Sequence, residues 1–294
     1  MAPLESSCHI PVLLNEVIDW LKPSGGKTFV DGTLGGGGHT AALAQRVGAK
    51  GLVIAFDLDP AAIARAEESL AGQSVNLVQA NFAEIPAVLA QLEIPAVNGI
   101  LLDLGLSSDQ LADAERGFSF QTDGPLDLRF NPDEGEAAWE LLARIGEAHL
   151  ADMIFKFGEE RYSRRIARQI VAARRAAPLR TADQLAELVR SCVPRSRNSK
   201  IDPATRTFQA LRIAVNGELD ALESALGSLP DCLLPGGRLA IISFHSLEDR
   251  LVKNAFRDED RLTVLTRKPI VASEAESTKN PRARSAKLRV AERR

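Results

Sequence analysis

The first chemistry visible in this chain is a pair of carboxylates, each set directly after an apolar run. Asp31 follows Thr28-Phe29-Val30, and Asp57 follows Leu52-Val53-Ile54-Ala55-Phe56. Between them lies VDGTLGGGGHT, Val30–Thr40, with five glycines at Gly32, Gly35, Gly36, Gly37 and Gly38. An alanine-rich helical stretch starts at about Thr40. Strand, glycine turn and helix in that order let main-chain N–H groups approach a ligand that side chains would otherwise keep away.

The ligand class follows by elimination. A phosphate-binding P-loop needs Gly-Lys-Ser/Thr, and the only basic candidate near this turn is His39. The dinucleotide fingerprint G-x-G-x-x-G fails, because counting from Gly35 places Thr40 at the last glycine position. S-adenosylmethionine carries no phosphate, so its loop needs close backbone approach without that third glycine. An acid at the end of the second strand of such a unit is placed to accept from ribose hydroxyls. Asp57 has a competing reading as a helix cap. Asp59-Pro60 fills that role better, with Asp59 at N-cap and Pro60 at the first helical position, which leaves Asp57 for a ligand.

The elements that must position these groups alternate between strand and helix. Apolar runs near Phe29, Val53, Val75–Val78 and Ile100–Leu102 are separated by helical stretches at about Thr40–Arg46, Ala61–Leu70 and Ala83–Gln91. That is the pattern of a doubly wound parallel α/β sheet. From about Asp113 to Pro203 no strand-like run appears. An amphipathic helix then carries Phe208, Leu211, Val215, Leu219, Leu222 and Leu226 on one face. Leu234-Pro235-Gly236-Gly237 turns into a fifth strand, Leu239–Phe244, and further strands are expected at Leu262–Leu265 and Lys287–Ala291. The expected organisation is a sheet domain of residues 1–112 and 204–294, interrupted by an all-helical insertion, 113–203.

Composition bounds the function classes. With 45% hydrophobic and 26% charged residues the 294-residue chain reads as an ordinary soluble protein. No apolar run approaches a membrane span, the N-terminus has no signal-peptide pattern, and a cytoplasmic location is expected. Cys8, Cys192 and Cys232 lie far apart without a CxxC, and His9, His39, His149 and His245 have no ligand spacing. Neither a disulfide framework nor a metal site is indicated. The net charge of −3 conceals a segregation: Lys156–Arg212 holds 14 Lys/Arg against 5 Asp/Glu, and Lys279–Arg294 holds 7 basic residues against Glu292. Arg161, Arg164, Arg165 and Arg168 share one helical face, with Tyr162, Ile166 and Ile170 on the other. Such a stripe is either a solvated face or a surface for a polyanion, here nucleic acid.

Several longer strings resemble the MraW family, the small-subunit ribosomal RNA methyltransferases H. They are His9–Glu16, the glycine turn, Leu101–Ser108, Glu115–Phe120, Gly124–Asp127, Ala204–Ala210, Ile242–Arg250 and Asn280–Ser285. The resemblance implies a Rossmann-like class I methyltransferase sheet interrupted by an all-helical substrate domain. It also implies S-adenosyl-L-methionine as cofactor, and N4-methylation of a cytidine in the decoding region of 16S rRNA, with the rRNA or the small ribosomal subunit as partner. The family's cofactor contacts fall on Gly37, Gly38, His39, Asp57, Phe82, Asp103 and Gln110. Phe82 can face adenine or serve as a core aromatic, and Ser107-x-x-Gln110 has the form of a capping box. Phe130 stands where methionine is expected after Leu126–Arg129, and Gly217 where a polar residue is more usual.

For the reaction itself, Asp103 is the candidate to orient the exocyclic amine or take its proton, and it could equally serve the cofactor alone. His245, after the fifth strand, reads as a base-pocket residue or as packing beside a helix start at Ser246-x-x-Asp249. Cys192 and Cys232 do not suit a covalent route through the cytosine ring, so direct transfer to the amine is expected. Arg161, Arg165, Arg168, Arg206, Arg212, Arg282 and Arg284 are the candidate RNA contacts. A dinucleotide-dependent oxidoreductase and a non-catalytic RNA-binding factor are the rival classes. Monomer and homodimer are not distinguished.

Overall fold

The computed structural model describes residues 10–120, 124–194 and 202–294. Cys8, His9 and part of the basic segment lie outside them. In chain order the elements begin α1 (Leu14–Leu21), β1 (Thr28–Asp31), α2 (Gly38–Val47), β2 (Leu52–Asp57) and α3 (Pro60–Ser69). They continue through β3 (Val75–Gln79), α4 (Ile85–Gln91), β4 (Val97–Asp103), α5 (Ser108–Ala112), α6 (Ala138–Arg144), α7 (Glu147–Gly158) and α8 (Ser163–Ala176). Next come α9 (Ala182–Cys192), α10 (Thr205–Asn216), α11 (Glu218–Ser228), β5 (Leu233–Ser243) and α12 (Ser246–Asp258). The chain closes with β6 (Leu262–Val264), α13 (Glu274–Lys279) and β7 (Lys287–Arg293). Two compact units result, one of Met1–Ser107 with Leu219–Arg294 and one of Ser108–Glu218.

The first unit is a seven-stranded sheet in the order β3-β2-β1-β4-β5-β7-β6. Strands β1 to β5 are mutually parallel, and β7 runs antiparallel to both β5 and β6. This is the Rossmann-like α/β sheet expected from the sequence. The chain winds outward from β1 through β2 to β3, then returns to place β4 on the other side of β1. Their carboxyl ends therefore form the crevice where open α/β sheets hold ligands.

Alternation along the strands explains why the runs are apolar throughout. Val30, Ile54, Ile100, Leu102, Leu239 and Ile241 enter one core with α4, α11 and α12. Phe29, Val53, Leu101, Ala240 and Ile242 enter the other with α1 and α2. Both faces are covered, so neither parity of position can be polar.

Two expectations change. The turn expected before the fifth strand lies within β5. The pairing passes from Val97↔Leu233 to Gly99↔Arg238, so Leu234–Gly237 bulge out of the ladder. Pro235 has no N–H to give and Gly236 sits at φ +78°, which suits a bulge. The single amphipathic helix expected across 208–226 is two helices. Gly217, at φ +59°, ends α10 by donating its N–H to Ile213 O, and α11 starts at Glu218. A left-handed terminal residue is what glycine supplies most readily, which accounts for Gly217.

The second unit, 108–218, starts before and ends after the insertion delimited from sequence, because α10 packs with α7 and α6. A Cβ on Gly158 would collide with Arg206 O, so glycine lets α7 and α10 approach closely. Arg174 is drawn inward from α8, donating to Leu142 O and to Ile145 O at the end of α6. Phe130 packs its ring 5.8 Å from that of Phe118 and donates its N–H to Asn216 Oδ1.

Candidate active site

Three carboxylates occupy the carboxyl ends of β1, β2 and β4, around the glycine turn. Asp31 is fully buried and accepts from Thr40 Oγ1 at 2.7 Å and from Thr33 N at 3.2 Å. Thr33 also joins two strands, since its Oγ1 accepts from Asp103 N at 2.6 Å. Asp57 accepts from Gly35 N at 2.8 Å and from Asp59 N at 2.9 Å. It therefore fastens the turn to β2 and is not free as the sequence suggested. Each of its oxygens still keeps a second lone pair for an incoming donor. Asp59 caps α3 as expected, accepting from Ala61 N at 3.0 Å.

Space decides the glycines. A Cβ on Gly32 would collide with Leu102 Cδ2 and stand 3.1 Å from Phe82 Cβ. One on Gly38 would stand 2.9 Å from Pro11 Cγ, while Gly37 holds φ +77° just before α2. Phe82 is half-buried, packed in part against the core and in part exposed.

His39 is buried in the first turn of α2. Its Nε2 lies 3.0 Å from Val12 O, and because a carbonyl only accepts, Nε2 donates. The other nitrogen, Nδ1, faces Asp103 Oδ2 at 3.6 Å. Asp103 Oδ1 is buried and has no hydrogen-bond partner among the described residues.

These acids are held against their ordinary ionisation. Burial pushes the Asp31 carboxyl up to about 7, against its hydrogen bonds from Thr40 and Thr33. Burial also pushes Asp103 up to about 7; the Arg282 guanidinium draws it down, and Asp31 and Glu248 add to the rise. Asp57 is raised as well, again by burial first. Acids gathered in low-dielectric surroundings favour a cation beside them.

His245 is the N-cap of α12, and the box is His245-x-x-Glu248 rather than the expected Ser246-x-x-Asp249. Glu248 N donates to His245 Nδ1 at 3.4 Å, and Glu248 Oε2 accepts from Phe244 N at 2.8 Å and His245 N at 3.3 Å. The histidine Nε2 lies 3.1 Å from Glu248 Oε1 without hydrogen-bond alignment.

The arginines divide. Arg282 donates to Leu106 O and lies 6.0 Å over the Phe244 ring, so it braces the segment after β4. Arg212 forms a bidentate pair with Glu218 at 2.7 and 2.8 Å and is mostly buried. Both are committed to internal pairs rather than offered to phosphates. Arg161, Arg165 and Arg168 are exposed in the second unit, Arg161 lying 4.7 Å over the Tyr162 ring and Arg168 loosely paired with Glu147. Arg206 donates to Glu159 O with its side chain half exposed, and Arg284 is exposed and donates to Ser277 O. Gln110 is buried on α5 of the second unit.

Sequence reasoning passed over Val12, Thr33, Thr40 and Glu248. Asp-x-Thr after a strand was the available signal for Thr33, since a threonine two residues beyond an acid can close onto it. Nothing local marks Val12, whose part is a backbone carbonyl.

Residues 6–294 match the MraW methylase family. A Ribosomal RNA small subunit methyltransferase H from Rhodopirellula baltica is 49% identical over 296 residues, covering 97% of this chain and 91% of that protein. The protein of that name from Synechococcus elongatus is 51% identical over 288 residues, covering 97% and 94%. The one from Deinococcus radiodurans is 50% identical over 285 residues, covering 97% and 89%. With its three acids at the strand ends and a match over nearly its whole length, this chain belongs to the MraW methylase family.

Proposed function

We propose that this protein methylates 16S rRNA, transferring the methyl group of S-adenosylmethionine to N4 of a cytidine in the decoding region. The observation that carries the reading is the trio Asp31, Asp57 and Asp103 at the carboxyl ends of adjacent parallel strands. A pyrophosphate brought to such a site would meet buried acids, whereas a sulfonium with an α-ammonium group is the charge they favour. The orphaned Asp103 Oδ1 fits this, being a buried acceptor still in want of a donor.

Each residue then has a task. Asp57 keeps the turn closed through Gly35 and offers its remaining lone pairs to the ribose hydroxyls. Gly37 and Gly38 keep side chains away from the methionine part, and Phe82 offers its exposed surface to adenine. His39 and Gln110 are the remaining cofactor contacts that the resemblance implies. The cofactor, when bound, supplies an electrophilic methyl on a positively charged sulfur. Cytosine N4 is a poor nucleophile because its lone pair is delocalised, so Asp103 contributes by orienting the amine and accepting its proton. Arg161, Arg165 and Arg168, with Arg206 and Arg284, supply cations for the RNA backbone.

The test is incubation with methyl-labelled S-adenosylmethionine and undermethylated small ribosomal subunits, followed by digestion to nucleosides. Label is expected in N4-methylcytidine. Label at another position would overturn the base and atom assigned here, and failure to bind the cofactor would overturn the whole reading.

A further inference from the structure

The Asp103–His39 contact poses a question of proton counting that the glycine-turn geometry answers. His39 Nε2 is fixed as a donor by Val12 O, so in the neutral ring Nδ1 presents a lone pair. That lone pair faces a carboxylate oxygen, Asp103 Oδ2, at 3.6 Å. Two acceptors facing each other repel unless a proton lies between them. The separation exceeds a hydrogen bond, as catalytic contacts in unloaded sites commonly do before they tighten.

We propose that His39 and Asp103 act as one proton-holding pair, in which Asp103 Oδ1 receives the proton shed by N4 and rotation of the protonated carboxyl turns that O–H toward His39 Nδ1, which accepts from it. The inference rests on the reading of the site as an N4-methyltransferase. In the reaction, N4 uses its lone pair for the new bond to carbon, and the carbon–sulfur bond breaks with its electrons staying on sulfur. The displaced N4 proton goes to Asp103. The positive charge beside the acids disappears as the methyl leaves, so the proton affinity of the pair rises at the moment a proton is offered. The other charged groups acting on Asp103 are Arg282, which opposes protonation, and Asp31 and Glu248, which favour it. His39 acts through Asp103 and is a positioning residue; its backbone anchor on Val12 keeps Nδ1, and not Nε2, toward the acid.

The consequence is measurable without turnover. S-adenosylhomocysteine, the demethylated product, should bind with uptake of more protons than S-adenosylmethionine. Calorimetric titration of the full chain with each ligand at pH 7, in two buffers of different ionisation enthalpy, counts those protons. We expect a difference of roughly half to one proton in the native protein. Asp103→Asn should abolish the difference, and His39→Gln, whose amide can still donate to Val12 O, should at least halve it. In single turnover, His39→Gln should lower the rate about 10- to 100-fold. It should also shift the rising limb of the pH–rate profile to lower pH, a displacement that loss of cofactor affinity alone does not produce. Equal proton counts for two ligands that both bind would overturn the pair, as would a full difference retained in His39→Gln. If neither ligand binds, the cofactor reading itself falls and the pair with it.

Discussion

Replacing Asp31 by asparagine tests whether the buried acids are held at the expense of stability. The Asp31 side chain is 0% exposed, and burial lifts its carboxyl from the ordinary 3.8 to about 7. A carboxyl raised in the folded state favours folding fully only below its unfolded pKa, and that contribution is lost as pH rises through the folded one. At about 1.4 kcal/mol per unit, this group withdraws about 4 kcal/mol between roughly pH 4 and pH 7. Asparagine carries no such dependence and fits the same bonds. Its oxygen can accept from Thr33 N, and its amide can face Thr40 Oγ1 once that hydroxyl rotates from donor to acceptor. Urea unfolding, read by pulse-labelled hydrogen exchange at β1 and β4, isolates the sheet unit from the helical one. The Asp31→Asn variant should be about 2–4 kcal/mol more stable than the native protein at pH 8, without cofactor. At pH 4.5 the two should agree within about 1 kcal/mol. A difference that is the same at both pH values, or a less stable variant at pH 8, would refute the reasoning.

Three further outcomes follow from the same geometry. Gly32→Ala drives a Cβ into Leu102 Cδ2 and sets it 3.1 Å from Phe82 Cβ. It should cost about 1–3 kcal/mol in a melting experiment and weaken cofactor binding by displacing Phe82. Arg282→Gln removes the guanidinium that draws Asp103 down. The rising limb of the single-turnover pH–rate profile should therefore move to higher pH, by roughly half a unit to one unit. The double change Arg161→Ala with Arg165→Ala should weaken RNA binding and reduce the slope of log affinity against log salt by about 1 to 2. Calorimetry should find cofactor affinity unchanged, because neither residue is among the assigned cofactor contacts.

What the sequence displays well is whatever a local pattern determines. Strands β1, β2 and β4 are legible because both their faces are buried, which turns each into an unbroken apolar run closed by Asp31, Asp57 or Asp103. The Asp59-Pro60 cap is legible because cap chemistry spans only a few residues. The break at Gly217 is hidden by apolar residues that keep helical spacing across it, so periodicity alone reports one helix where a left-handed glycine makes two. The bulge at Leu234–Gly237 resembles a turn because it uses turn residues; only pairing with β4 reveals that the strand begins before it. The box at α12 escapes because histidine is an unusual N-cap, and Ser246 with Asp249 offers the commoner pattern one residue later. Long-range bonds leave no local trace. The Thr33 bridge from β1 to β4 spans 70 residues, and the Val12 anchor of His39 spans 27.

The cluster of buried acids also explains why the site resists reduction to a list of contacts. Asp31, Asp57 and Asp103 each lie above their ordinary ionisation in the free protein, with burial as the largest cause in all three. Structure alone would favour replacing them, yet two also hold part of the frame with their side chains: Asp31 through Thr33 and Thr40, Asp57 through Gly35 and Asp59. In the proposed site a cation among them would lower all three ionisations at once, coupling ligand binding to charge burial. At a ligand concentration of about 100 Kd, linkage adds about 2.7 kcal/mol, comparable to what Asp31 alone withdraws near neutral pH. Loss of the positive charge during transfer then reverses the coupling. In the proposed reaction the acids regain their preference for protons at the moment N4 gives one up.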